Sequence, residues 1–214
     1  MVKQSNVALS DAAEWLGDWH PLAEQLGSAD GLLALGSISN LLQLRPVRDL
    51  ETLRAFLFSY HREVLGPVEL PAIKAAFRHA ERNEVRELID LDRQLAQAPL
   101  LGTFVEPSRR VGQAQLQKLR PLRDQRLVQR YLGAVEAGVA HGWHTLVYGL
   151  TLEIYSLPLR QGLLGYAQQT TRSFIYSGAR MLHLSERQCR ELFDELAPLL
   201  SATVQQMVGQ EAPA

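Results

Sequence analysis

The stretch that decides the fold is His141–Val208, HGWHTLVYGLTLEIYSLPLRQGLLGYAQQTTRSFIYSGARMLHLSERQCRELFDELAPLLSATVQQMV. Three consecutive segments in it repeat apolar residues at helical spacing, and they are dense in glycine, alanine and aromatic side chains. No recognisable set of catalytic groups interrupts them. That combination points to a protein whose product is a surface for other proteins rather than a chemical step.

Working outward, helix signals recur and strand signals are nearly absent, with no sustained alternation of apolar and polar residues. Ser10 followed by Asp11 and Glu14 predicts a capped helix start, and 32–44 (LLALGSISNLLQL) reads as helical. Asp49 caps a helix with Leu50, Leu53, Leu57 and Tyr60 or His61 on one face, which Gly66-Pro67 is expected to end. Further helices are expected over Val68–Glu81, after a cap at Asn83 (stripe Val85, Leu88, Ile89, Leu95), over Ser108–Leu119 with Pro107 in the first turn, and over Gln125–Ala140. His144–Tyr155 follows, then Leu159–Leu182 opened by Pro158, then a last helix boxed by Ser185 and Gln188. Residues 98–106 read as a loop and the last six as a frayed end. The sum is an all-α, single-domain bundle over 1–214, with roughly nine or ten helices.

At 214 residues the chain can bury a core without disulfide or metal staples. Lys plus Arg (22) nearly cancel Asp plus Glu (23), so the net charge of −1 gives no bulk attraction to nucleic acid or an anionic membrane. Cys189 is the only cysteine, which excludes an internal disulfide and fits a reducing cytosol. Asp11 and Glu14 break the N-terminal stretch before a signal-like apolar run develops, and no apolar run reaches the ~20 residues of a membrane span. The expectation is a soluble, cytoplasmic protein.

Chemistry is mostly missing. His141 and His144 are three apart and could share a helical face toward a metal, but no third ligand lies at a matching offset, and zinc-type sites use about three or four. No Gly-x-Ser-x-Gly elbow and no phosphate-binding Gly-Lys-Ser/Thr loop occurs. The basic run Arg109, Arg110, Lys118, Arg120, Arg123, Arg126 and Arg130 lacks interleaved aromatics; it reads as a solvated helix face or a docking surface for an acidic partner. Gly133, Gly138, Gly142 and Gly149 fall in helix-like sequence, where each costs about 1 kcal/mol against alanine, so they predict closely approaching helices.

Ordered features along much of the chain resemble the UreF family of urease accessory proteins. They are Val68-Glu69-Leu70-Pro71 with Phe77 and Glu84, then Ser108, Arg110, Gly112 and Leu116, then His144, Val147, Tyr148 and Gly149. Tyr166, Tyr176, Ser177, Ala179 and Arg180 follow, then Gln188 and Leu196-Ala197-Pro198-Leu199. The family's N-terminal Gly-rich loop has only Gly27, Ser28, Gly36 and Ser37 as counterparts, and its basic C-terminal tail has no counterpart before Ala214. The resemblance implies an all-helical, dimeric scaffold with no catalysis and no cofactor of its own. It would join a UreD/UreH-type protein and a UreG-type GTPase to apo-urease for nickel insertion, with neither nucleic acid nor membrane as a partner. Its expected partner-binding residues are Tyr176, Arg180 and Tyr148, then His144 and Arg110. The alternatives are a helical protein-binding module unrelated to urease and a helical-bundle metalloenzyme; the latter would need Glu-x-x-His pairs, and none occurs.

Overall fold

A computed structural model describes residues 42–97 and 105–209. The expected helix from Ser10 and most of the expected loop (98–104) and frayed end (210–214) lie outside the described residues, while Val105 and Glu106 of that loop and Gly209 of that end are helical instead. Every regular element among the described residues is helical, with no strand. In chain order they are α1 (Leu50–Tyr60), a π-helical segment (His61–Glu69), α2 (Leu70–Glu81), α3 (Val85–Leu95), α4 (Val105–Lys118), α5 (Arg126–Glu136), α6 (His144–Ile154), α7 (Leu159–Leu182) and α8 (Glu186–Gly209). The expected count of nine or ten includes helices assigned to residues before 42. The one expected over 32–44 does not extend to Leu44, because Leu42–Gln43 is a turn with Gln43 at φ 56°.

The chain divides into two compact units, Met1–Pro67 with Arg160–Ala214, and Val68–Leu159. In the first, α1 starts at a reciprocal capping box: Thr52 N–H donates to Asp49 Oδ1 (2.8 Å), and Asp49 N–H donates to Thr52 Oγ1 (3.0 Å). Its buried face is Leu53, Phe56, Leu57 and Tyr60. The Phe174 ring of α7 meets Phe56 edge-on at 5.4 Å and Tyr60 at 4.7 Å, geometries the ring quadrupoles favour. Leu192, Leu196, Leu200 and Val204 form the inward stripe of α8. That helix begins as expected, with Ser185 N–H donating to Gln188 Oε1 (2.9 Å) and Gln188 N–H to Ser185 Oγ (3.3 Å).

Gly66-Pro67 does not end the first helix. Helical winding passes through both residues as a π segment. In an α-helix the Pro67 ring would collide with the Glu63 carbonyl, and its missing N–H would leave a carbonyl unpaired. The wider π turn relieves the collision, and the buried Val64 and Leu65 anchor it.

His61 opens this segment and lies 3.1 Å from Thr203 Oγ1 through Nε2. Burial holds its imidazole below the ordinary histidine range. The unfolded chain therefore takes up this proton more readily than the folded one, so His61's contribution is present above about pH 6.5 and is lost as pH falls through the lower folded value. His61→Gln is expected to flatten the fall in Tm between about pH 6.5 and pH 5 relative to the parent chain. Melting curves across that range, with identical slopes for both proteins, would refute the assignment.

In the second unit α6 is central, packed by α2 and by α4, while α3 and α5 pack on each other and against these neighbours. Nine consecutive residues of α6, His144–Leu152, are buried. It therefore has no solvent stripe, as expected of a helix enclosed by others. Two glycines permit this closeness: a Cβ at Gly149 would reach the α2 backbone at Ile73 and stand 2.9 Å from Ala76 Cβ, and one at Gly112 of α4 would stand 2.6 Å from His144 N.

Three expectations change here. Asn83 is not a helix cap; it takes a left-handed φ of 55°, which asparagine tolerates, and α3 starts from Glu84. The helix expected over Gln125–Ala140 stops at Glu136, because Gly138 and Gly142 take φ of 71° and 73° and turn the chain back toward α6. Those two glycines thus serve backbone conformation, and Gly133, whose added Cβ would meet nothing within 4 Å, marks no close approach inside the described chain.

Candidate docking surfaces and the buried frame

On α7 the inward residues Thr170, Thr171, Phe174, Ile175, Ser177, Gly178 and Ala179 leave an outward line at Arg172, Tyr176 and Arg180, each one helical turn from the next. Tyr176 is 54% exposed, unusually open for a tyrosine. Arg172 lays its guanidinium over the Phe193 ring of α8 at 4.4 Å from the centroid, which fixes the start of the line. An aromatic ring between two guanidinium groups is a composition common to strong protein-binding anchors.

The other expected site residues lie in the second unit. Arg110 is exposed on α4. His144 and Tyr148 are buried, 3% and 2% exposed, and burial pushes the Tyr148 phenol well above the usual range. Ser108 Oγ lies 2.7 Å from His144 Nδ1 and accepts from the His144 N–H at 3.4 Å. The pattern fits a Ser108 O–H donating to Nδ1, so a side chain of α4 caps the first turn of α6. A serine on a histidine also describes a nucleophile and its base. With both residues 3% exposed, the pair joins α4 to α6 in the interior.

His141 and His144 do not share a helical face, because α6 begins only at His144. His141 turns to Asp92 and His144 to Ser108, and no group of three or more His, Cys, Asp or Glu able to hold a metal occurs among the described residues.

Asp92 of α3 was not an expected site residue, yet it organises this corner. Its side chain is wholly buried. Oδ1 accepts from the His141 N–H (2.7 Å) and lies 2.9 Å from His141 Nδ1; Oδ2 accepts from Tyr131 O–H (2.7 Å) and Gly142 N–H (2.9 Å). Its backbone carbonyl accepts from Trp143 Nε1 (2.8 Å), and the His141 ring stacks on Trp143. Burial first, then the Asp92 carboxylate, raises the Tyr131 phenol well above its ordinary value. The sequence signal was an acid at the inward position one turn after Leu88, in a stripe otherwise apolar. No described helix is long and apolar enough to cross a membrane.

A profile of the UreF family matches residues 47–197. The urease accessory protein UreF of Sporosarcina pasteurii is 22% identical over 158 residues, which covers 74% of this chain and 78% of that protein. The matched span begins just before α1 and ends within α8, so it takes in the α7 line, the Ser108–His144 pair and Asp92. The chain belongs to the UreF family.

Proposed function

We propose that this chain is a urease accessory protein that works as a single, non-catalytic scaffold domain. It bridges a UreD/UreH-type protein and a UreG-type GTPase to apo-urease so that nickel, the cargo, is inserted. It acts in the cytoplasm as a homodimer. The family match over residues 47–197 carries this reading. Tyr176, Arg180 and Arg110 contact partners directly, consistent with their exposure. His144 and Tyr148 contribute from beneath, by holding α6 in shape.

The test is coexpression with UreD- and UreG-type proteins and recovery through a tag on this chain. The parent chain is expected to bring down at least one of them. Tyr176→Ala/Arg180→Ala is expected to reduce recovery at least tenfold, as loss of about 2 kcal/mol at a hot spot does, with Tm nearly unchanged. Failure of the parent chain with both, where the Sporosarcina pasteurii protein succeeds, overturns the reading.

A further inference from the structure

The chain between Lys118 and Arg130 leaves α4, turns, and enters α5. It exposes five cations, Lys118, Arg120, Arg123, Arg126 and Arg130. Asp124 is the one acid in that stretch, so five positive charges face one negative in a chain whose total is −1. Arg120 is engaged by Glu136. Among the described residues, Lys118, Arg123, Arg126 and Arg130 enter no ion pair.

The patch is built outward. Leu127, Val128, Tyr131 and Leu132 take the inward positions of α5, which sets Arg126 and Arg130 one turn apart on its solvent face. No acid lies in the first turn of α5, so nothing there offsets the repulsion between these groups. A surface that concentrates like charge and leaves it unneutralised is complementary to an anionic partner.

The side chains point to the kind of anion. Four of the five cations are arginines, whose planar forks match carboxylates two bonds at a time. No aromatic residue occurs between 118 and 130 to stack bases, and Asp124 and Glu136 interrupt any continuous track for a phosphate backbone. We propose that this surface docks a carboxylate-rich segment of a partner protein. The inference stands apart from the urease assignment, because it rests on charge and exposure in the second unit alone.

The test uses a fluorescein-labelled decaglutamate peptide and fluorescence anisotropy with the full chain. Binding is expected, weakening about tenfold or more between ~50 and ~300 mM salt as screening shortens. Arg123→Glu/Arg126→Glu/Arg130→Glu is expected to weaken it at least tenfold. Arg160→Glu/Arg187→Glu/Arg190→Glu makes the same charge change outside the patch and is expected to leave affinity within about twofold. Should the first triple variant melt early, Arg123→Gln/Arg126→Gln/Arg130→Gln gives the same comparison. Equal losses in patch and control variants would mean bulk charge alone and overturn the proposal. So would tighter binding of a ten-nucleotide oligothymidine, or of phosphatidylserine vesicles, than of the peptide.

Discussion

Gly112→Ala is expected to be among the most damaging single-methyl changes in this chain. The added Cβ would lie 2.6 Å from His144 N and 2.7 Å from the Trp143 carbonyl carbon, with the Gly142 oxygen nearer still. All three are backbone atoms, so no rotamer change can make room, and α4 must lift away from the entry to α6. Overpacking of this kind costs about 3 kcal/mol or more, roughly 10 °C in Tm for a chain of this size. Gly149→Ala meets the α2 backbone in the same way, with Phe77 N 3.1 Å from the new Cβ, and should fall in the same range. The control is Gly133→Ala, where open space awaits the methyl group and helix propensity predicts a gain of about 1 kcal/mol. Thermal unfolding of the three variants decides; three equal shifts would show that helix approach is not what these glycines serve.

Asp92→Ala is the second large effect. It removes the acceptor of the His141 and Gly142 N–H groups and of the Tyr131 hydroxyl, and leaves the buried Tyr131 and Gly142 donors without it. Truncating one side of a buried charged network costs on the order of 3–5 kcal/mol, chiefly through the groups left behind. Asp92→Asn keeps the shape but turns one accepting atom into a donor, so it should fall between parent and alanine. Amide exchange localises the effect: the His141 and Gly142 amides should lose protection in Asp92→Ala well before those of α8. Uniform loss across the chain, or none, would contradict the role given to this carboxylate.

Much of the helical architecture is legible in the sequence because its local signals agree. Asp49, Pro158 and the Ser185–Gln188 pair mark helix starts that the structure reproduces, each through chemistry confined to one turn. What stayed hidden depends on neighbours distant in the chain. Gly66-Pro67 is a stop signal locally, and only the buried Val64 and Leu65 beside it make the wider winding tenable. A glycine in a helix-like run reads the same whether it serves a positive φ, as Gly138 does, or a close approach, as Gly149 does. The site divides on similar lines. Tyr176 and Arg180 are legible as an outward pair because the small residues Ser177, Gly178 and Ala179 between them suit a packed helix face. The burial of His144 and Tyr148 is consistent with the run HTLVYGLTL, which has no aspartate, glutamate, lysine or arginine to hold a face in water. Asp92 was missed because an acid in an amphipathic helix is ordinarily assigned to solvent.

The enclosure of α6 has a consequence for making and keeping the protein. Thr145–Leu152 carries no charge and no proline, and it is rich in valine, threonine, tyrosine and leucine, residues that stack readily into cross-β aggregates once unwrapped. Its protection comes from α2 and α4 closing over it, so each opening of those helices bares an adhesive strand-former. Weakened variants of the second unit should therefore vanish into inclusion bodies during expression before they register as poor binders, and yield at reduced growth temperature becomes the more sensitive gauge of damage there.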